Sequence, residues 1–104
     1  MFAPKTIDEF NKILDDVIFE VDDIIASAEY EGDTITELTE MVPIFQQIGA
    51  HLRQLQNEIK AGTHEFGTDK NLPYMDLVVR WKLRLPFAFV LTLLNEAHRT
   101  GFEE

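Results

Sequence analysis

The chain has 104 residues, a formal net charge of −10, 45% hydrophobic residues and no cysteine. This length suits a single domain over residues 1–104, and the hydrophobic fraction is typical of a globular protein and excludes a disordered one. Without cysteine, the chain can form neither a disulfide nor a thiolate metal site, and it has no cysteine nucleophile.

The apolar segments of the chain do not indicate contact with a membrane. Residues 1–5 show no apolar segment behind a basic start, so we expect no signal peptide. The longest apolar run, residues 85–94, is about half of the ~20 residues that a membrane-spanning helix needs. The sequence therefore predicts a cytoplasmic protein without membrane contact.

The net negative charge lies in the first 41 residues, which hold twelve acids against Lys5 and Lys12. Residues 42–104 hold seven charged residues of each sign. A field of this kind repels phosphate backbones and attracts basic partners, with screening over ~8 Å at physiological salt. We therefore expect a basic protein partner and no direct contact with nucleic acid.

The first predicted element is a helix over residues 7–30. Thr6 and Glu9 have the spacing of a capping box, in which each side chain pairs with the backbone of the other. Apolar residues then recur at alternating steps of three and four: Ile7, Phe10, Leu14, Val17, Val21, Ile24 and Ala28. This spacing puts them on one side of a helix, which must bury that side against the rest of the chain.

A second long helix is predicted to follow and to end at Gly62. Thr34 and Glu37 form another capping-box pattern at its start, and apolar residues at helical spacing continue behind them. Pro43 falls inside this helix, where it removes one backbone donor and crowds the preceding turn. We therefore expect a kink or a break near residues 39–43.

Residues 63–85 fit two patterns. Turn residues between 63 and 71 indicate a loop, whereas residues 74–85 score both as an amphipathic helix and as an alternating strand. Helix is favoured because a strand would find a partner only in the short segment that precedes it. The alternative is an α+β fold with a small hairpin formed by residues 63–67 and 77–85.

The last predicted helix begins at Pro86 and is apolar on nearly every side. His98 and Arg99 fall in its last turn, Gly101 has the position of a left-handed cap, and Phe102 is placed to fold back onto the helix. Together the elements predict an all-α protein, an antiparallel bundle of three to four helices.

Carboxylates repeat along the first helix at intervals of seven residues. One interpretation is a solvated face that keeps the protein soluble, since outward heptad positions are usually charged. The other is a docking surface, in which Phe19 is an exposed aromatic anchor among acids. The predicted partner-binding residues are Asp8, Asp15, Asp16, Phe19, Asp22, Asp23 and Glu29.

The sequence predicts no enzyme, cofactor or metal site. The three histidines, His51, His64 and His98, are far apart, and none has the spacing of a helical metal-ligand pair. The alternative rests on the carboxylate pairs Glu20/Asp23 and Glu37/Glu40, whose spacing resembles that of magnesium-dependent all-helical nucleotide pyrophosphatases. That resemblance implies nucleotide hydrolysis, although those enzymes carry the glutamate-rich pair first and this chain carries it second.

The function predicted from the sequence is therefore that of a non-enzymatic, acidic protein-binding module. Inhibitors, immunity proteins, antitoxins, chaperones and DNA mimics share its small size and acidity, so a regulatory role is expected. The long heptad stripes also predict a homodimer or another homo-oligomer. A structural subunit of a larger assembly is a further alternative.

Overall fold

The computed structural model describes residues 3–30 and 36–102, with the backbone alone at residues 29, 30 and 36–39. The described ranges contain four α-helices, a short 3₁₀ helix between the last two, and no β-strand. The α-helices are α1 (Ile7–Tyr30), α2 (Thr36–Ala61), α3 (Met75–Trp81) and α4 (Ala88–Thr100), and the 3₁₀ helix is Lys82–Arg84. The predicted all-α bundle is confirmed.

Helix α1 begins where the sequence predicts, although its cap differs in detail. The Glu9 N–H donates to Thr6 Oγ1 at 3.1 Å, which is one half of a capping box. The Glu9 carboxylate accepts from the Lys5 N–H at 2.9 Å and not from Thr6. The second predicted capping box, at Thr34, lies outside the described residues.

Helices α1 and α2 form the main antiparallel pair. The predicted apolar stripe of α1 supplies five fully buried residues, and it packs on a matching stripe of α2. Gly49 lies at the crossing, where an added Cβ would stand 3.5 Å from Val21 Cγ1. The buried residues of this pair are Phe10, Leu14, Val17, Val21, Ala28, Met41, Phe45, Ile48, Leu52 and Leu55.

Of the two outcomes predicted near residues 39–43, the break is wrong and the kink stays a prediction. Helix α2 runs through Pro43 without interruption, and the proline side chain is exposed. A proline on the solvent side of a helix leaves the unpaired carbonyl one turn earlier within reach of water, so the lost hydrogen bond costs less than it would in the core.

The hairpin alternative is also wrong. Residues 77–85 are helical to Trp81 and continue as a 3₁₀ helix, while the Gly67 N–H donates to His98 O at 2.6 Å and so joins α4 and not a strand. A strand would have needed Val79 and Leu83 on a buried face, but they are 74% and 99% exposed. The helical pattern prevails because its hydrogen bonds are local.

The segment between α2 and α3 runs back along α4. Its polar anchor is Asn95, which is buried in α4: the Leu72 N–H donates to Asn95 Oδ1 at 2.7 Å, and Asn95 Nδ2 donates to Asn71 Oδ1 at 3.0 Å. Tyr74, also buried, donates its hydroxyl to Leu91 O at 2.6 Å. These bonds fix residues 71–74 against α4 and lead directly into α3.

Helix α4 starts two residues later than predicted and ends as predicted. Gly101 has a φ of 75° and donates its N–H to Ala97 O, which closes the helix. Phe102 then folds back, with its ring centroid 6.0 Å from Phe10 and 5.0 Å from Phe66. This aromatic cluster joins the start of α1 to the end of α4.

Candidate functional site

The outer side of α1 carries most of the predicted docking residues. Phe19 is 72% exposed and lies on the opposite side of the helix from the buried stripe. Exposed carboxylates surround it along the helix: Asp8, Asp15, Asp16, Asp22 and Asp23. The side chain of Glu29, the remaining predicted residue, lies outside the described part of the structure. An aromatic ring this open contributes little to the core and is available for contact.

Two of these carboxylates are engaged by α2. Arg53 donates to both carboxylate oxygens of Asp22 at 2.5 Å, and the Gln56 amide donates to Asp15. Residues 15 and 22 are one heptad apart, so they form the edge of α1 that lies beside α2. The contacts across this edge stabilise the α1–α2 pair directly.

We call Asp16, Phe19 and Asp23 the open α1 face. Their side chains have no hydrogen bond, ion pair or ring contact with any residue that the structure describes. Asp16 precedes Phe19 by three positions and Asp23 follows it by four, so both carboxylates lie beside the ring on the helix surface. The predicted docking residues between positions 15 and 23 therefore divide into an edge that contacts α2 and an open face that a partner could reach.

A second exposed apolar surface lies where α3 turns into α4. Val79, Leu83 and Phe89 are all largely exposed at this α3–α4 corner, which we define as residues 79–89. The guanidinium carbons of Arg80 and Arg84 lie 6.0 Å and 5.8 Å from the centre of the Trp81 ring. The corner therefore combines apolar side chains with positive charge, in contrast to the open α1 face.

A cleft of about 420 Å³ lies between α2 and the segment that runs back along α4. All three histidines of the chain line it, although they come from α2, the connecting segment and α4. Apolar and polar residues share the remaining wall: Gln54, Leu55, Glu58, Thr68, Lys70, Asn71, Leu72, Pro73 and Tyr74. Volumes of this order, with a few converging polar groups, are typical of small-molecule sites.

Two of the histidines are in direct contact inside this cleft. His64 Nε2 lies 2.9 Å from His98 Nδ1, so one ring must donate a hydrogen bond to the other. The Glu58 carboxylate lies 3.8 Å from His64 Nδ1, and Thr68 Oγ1 lies 3.5 Å from His98 Nε2. The four side chains form a row of polar groups across the cleft.

Burial lowers the pKa of both histidines below the ordinary value of 6.5. For His64 the nearby carboxylates of Glu58 and Glu65 oppose the effect of burial. For His98 the charges of His64 and Arg99 lower the pKa further, while a hydrogen bond to the Lys70 backbone raises it. The pair is therefore uncharged at neutral pH and resists the uptake of a proton.

These pKa shifts predict that the protein becomes less stable on acidification. As the pH falls below 6.5, the unfolded chain takes up protons on these imidazoles while the folded pair does not. The unfolded state then binds more protons, so the free energy of unfolding decreases until the pH reaches the lower pKa values of the folded pair. Urea titrations across this window measure the slope.

The control for this pH dependence is the double variant His64→Gln/His98→Gln. Its free energy of unfolding should be lower at every pH, but its slope between neutral and mildly acidic pH should be flatter, because glutamine does not titrate. A double variant with the slope of the original chain would contradict the role of this pair.

Three carboxylates of the pyrophosphatase-like pattern have described side chains: Glu20, Asp23 and Glu40. No group of three or more histidine, aspartate or glutamate side chains with the geometry to hold a metal ion occurs in that part of the chain. Glu40 lies 3.4 Å from Arg84 at the α3–α4 corner, and the side chain of Glu37 lies outside the described structure.

The cleft could not be predicted from the sequence pattern, because its histidines are separated by 13 and 34 positions. The sequence signal for the cleft was the presence of polar Asn95 and His98 within an apolar helix, since buried polar side chains need hydrogen-bond partners.

No protein-family model, curated protein or solved structure matches this chain. Within the described residues, none of the helices has the length and apolar character required to span a membrane.

Proposed function

We propose that this chain is a non-enzymatic binding protein whose open α1 face docks a basic partner protein. The observation that carries the proposal is Phe19, a large aromatic that is 72% exposed between Asp16 and Asp23. Aromatic anchors surrounded by polar groups account for much of the binding energy at protein interfaces. The acids around the ring favour a partner with lysine or arginine around an apolar pocket.

The charge distribution supports a basic partner in two ways. The excess negative charge of the first 41 residues attracts a positive surface over a distance and raises the rate of association. Within α1, neighbouring carboxylates repel one another, and a partner that supplies cations relieves this repulsion. In this proposal the chain acts in the cytoplasm as a regulator of the protein that it binds, in the manner of an inhibitor, antitoxin or chaperone.

Affinity capture with the purified chain as bait tests this proposal. We expect a basic protein that is retained at low salt, released at high salt and identified by mass spectrometry. Phe19→Ala should weaken its binding roughly 30-fold, the effect of losing an interface anchor worth about 2 kcal/mol. Asp16→Lys with Asp23→Lys should weaken it further and reduce its dependence on salt.

Two variants on other surfaces serve as controls for the capture experiment. Phe89→Ala removes an aromatic of similar exposure from the α3–α4 corner, and Asp76→Lys reverses an exposed carboxylate on α3. Both should retain the partner. A partner that binds Phe19→Ala as tightly as the original chain, or that depends on Phe89, would contradict docking through the open α1 face.

The α3–α4 corner supports a second element of the proposal, a homo-oligomer. Leu83 is 99% exposed on the same α3–α4 corner as Val79 and Phe89, so a second copy could cover apolar surface there without occupying the open α1 face. Light scattering during size-exclusion chromatography measures the mass of the particle. A dimer that dissociates in Leu83→Arg is the expected result, and a monomer at all concentrations would contradict it.

A further inference from the structure

The cleft differs from the rest of the molecule in its charge. The chain carries 19 acids and 9 lysines and arginines, yet Glu58 is the one carboxylate among the described residues that line the cleft. Lys70 supplies a positive charge, and His51, His64 and His98 supply three imidazoles. The cleft thus holds one positive charge, that of Lys70, and gains more when an imidazole is protonated, although the protein as a whole is strongly acidic.

The polar and apolar groups of the cleft are suited to different parts of one ligand. Leu55, Leu72 and Pro73 offer apolar surface, and Lys70 offers N–H donors. The ring nitrogens of His64 and His98 already contact one another, Glu58 and Thr68, so this pair contributes positive charge when it takes up a proton. Carboxylate and phosphate oxygens are the acceptors that charged N–H donors bind most strongly. A metal ion is a poorer fit, since no group of three metal-binding side chains occurs within the described residues.

From this lining we infer that the cleft binds a small organic anion, with a carboxylate or phosphate group at Lys70 and the His64–His98 pair and an apolar body against Leu55, Leu72 and Pro73. The site is separate from the open α1 face and does not depend on a protein partner. An anion beside the histidines favours their charged form, so binding is accompanied by a net uptake of protons by the pair.

The charged groups around the pair set how binding responds to pH. Glu58 on α2 and Glu65 in the connecting segment favour protonation of His64, whereas Arg99 on α4 opposes protonation of His98. His51 and Lys70 complete the set of titratable groups that line the cleft with them. Because the protonated pair is the form that attracts an anion, affinity should increase as the pH is lowered from neutral.

Nuclear magnetic resonance titrations with benzoate and with phenyl phosphate test this site. Since all three histidines line the cleft, the ring Cε1–H signals of His51, His64 and His98 report on binding there. We expect saturable shifts of these signals with either anion. Inorganic phosphate carries the charged group without the apolar body, and it should bind more weakly than phenyl phosphate. Benzamide is the uncharged counterpart of benzoate, and it should bind more weakly than benzoate.

Calorimetry in two buffers with different heats of ionisation measures the predicted uptake of protons. The heat of binding should differ between the buffers in the direction of proton uptake by the protein. Binding of benzoate without proton uptake, or equal binding of benzoate and benzamide, would overturn the inference. So would the absence of any shift with benzoate and phenyl phosphate at about 10 mM, a concentration that would detect even weak millimolar binding.

Variants of exposed or half-exposed residues keep the test independent of folding. Lys70→Met should weaken the binding of both anions roughly fivefold, the effect of about 1 kcal/mol for an exposed charge pair. Lys82→Met, which removes the same charge from the α3–α4 corner, should have no effect; equal losses in Lys70→Met and Lys82→Met would contradict a local site.

Discussion

Replacing Phe10 with alanine is expected to lower the free energy of unfolding by about 3–5 kcal/mol, the usual cost of removing a fully buried aromatic ring. Phe10 has no exposed surface, and its ring makes edge contacts with Phe66 at 5.2 Å and Phe102 at 6.0 Å between centroids. Its loss opens the junction between α1, the connecting segment and the end of α4. Urea unfolding followed by circular dichroism measures the effect.

The matched control is Phe19→Ala, which removes the same side chain from the same helix. Phe19 lies on the exposed side of α1, so its loss should change the free energy of unfolding by no more than about 0.5 kcal/mol. The two variants therefore compare the contributions of the buried and the exposed face of α1 to the free energy of unfolding. Similar losses in both, or a larger loss for Phe19→Ala, would contradict the placement of these rings.

Replacing Asn95 with alanine is expected to lower the free energy of unfolding by about 2–3 kcal/mol, because a buried donor is left without its acceptor. The Leu72 N–H loses Asn95 Oδ1, and Asn71 loses the amide that donates to its side chain. Leu72 is itself buried, so water cannot readily replace the lost bond. The same urea titration measures this loss.

Asn57→Ala is the control for the Asn95 variant. Asn57 is an exposed residue within α2, and alanine is the better helix former, so this change should be neutral or slightly stabilising. A loss below about 1 kcal/mol in Asn95→Ala would show that the connecting segment does not depend on this hydrogen bond.

The Asn95 variant also bears on the cleft. Residues 71 and 72, which Asn95 holds, are part of the cleft wall. If the segment moves when these bonds are lost, the ring signals of His64 and His98 should shift even without an added anion. The architecture of the site therefore rests on a polar residue that makes no contact with a ligand in the proposed binding mode.

The sequence pattern predicted the helices well where their signals are local. The bounds of α1 follow from the cap at Thr6 and from apolar residues at steps of three and four, both of which depend on neighbours within a turn or two. The end of α4 at Gly101 is equally local, since a positive φ closes the helix. Pro43 led to the wrong prediction of a break, because the cost of the lost hydrogen bond depends on which side of α2 faces water.

The division of the acidic residues could not be predicted in the same way. The heptad pattern places Asp15, Asp16, Asp22 and Asp23 on the outer half of α1, and all four are exposed. Which of them contact α2 depends on the register between the two helices, and that register brings Arg53 to Asp22 and Gln56 to Asp15. The open α1 face is what remains after these contacts form.

By itself, the sequence determined that the chain forms helices with one apolar side each, that α1 is strongly acidic, and that Phe19 has no place in the core. These properties follow from the helical period and from composition, which need no knowledge of distant residues. Only the tertiary structure decided that residues 75–84 become helical, with α3 packed on α4, and that His51, His64 and His98 share one cleft. Those outcomes depend on contacts between segments far apart in the chain, where burial, and not local spacing, selects the arrangement.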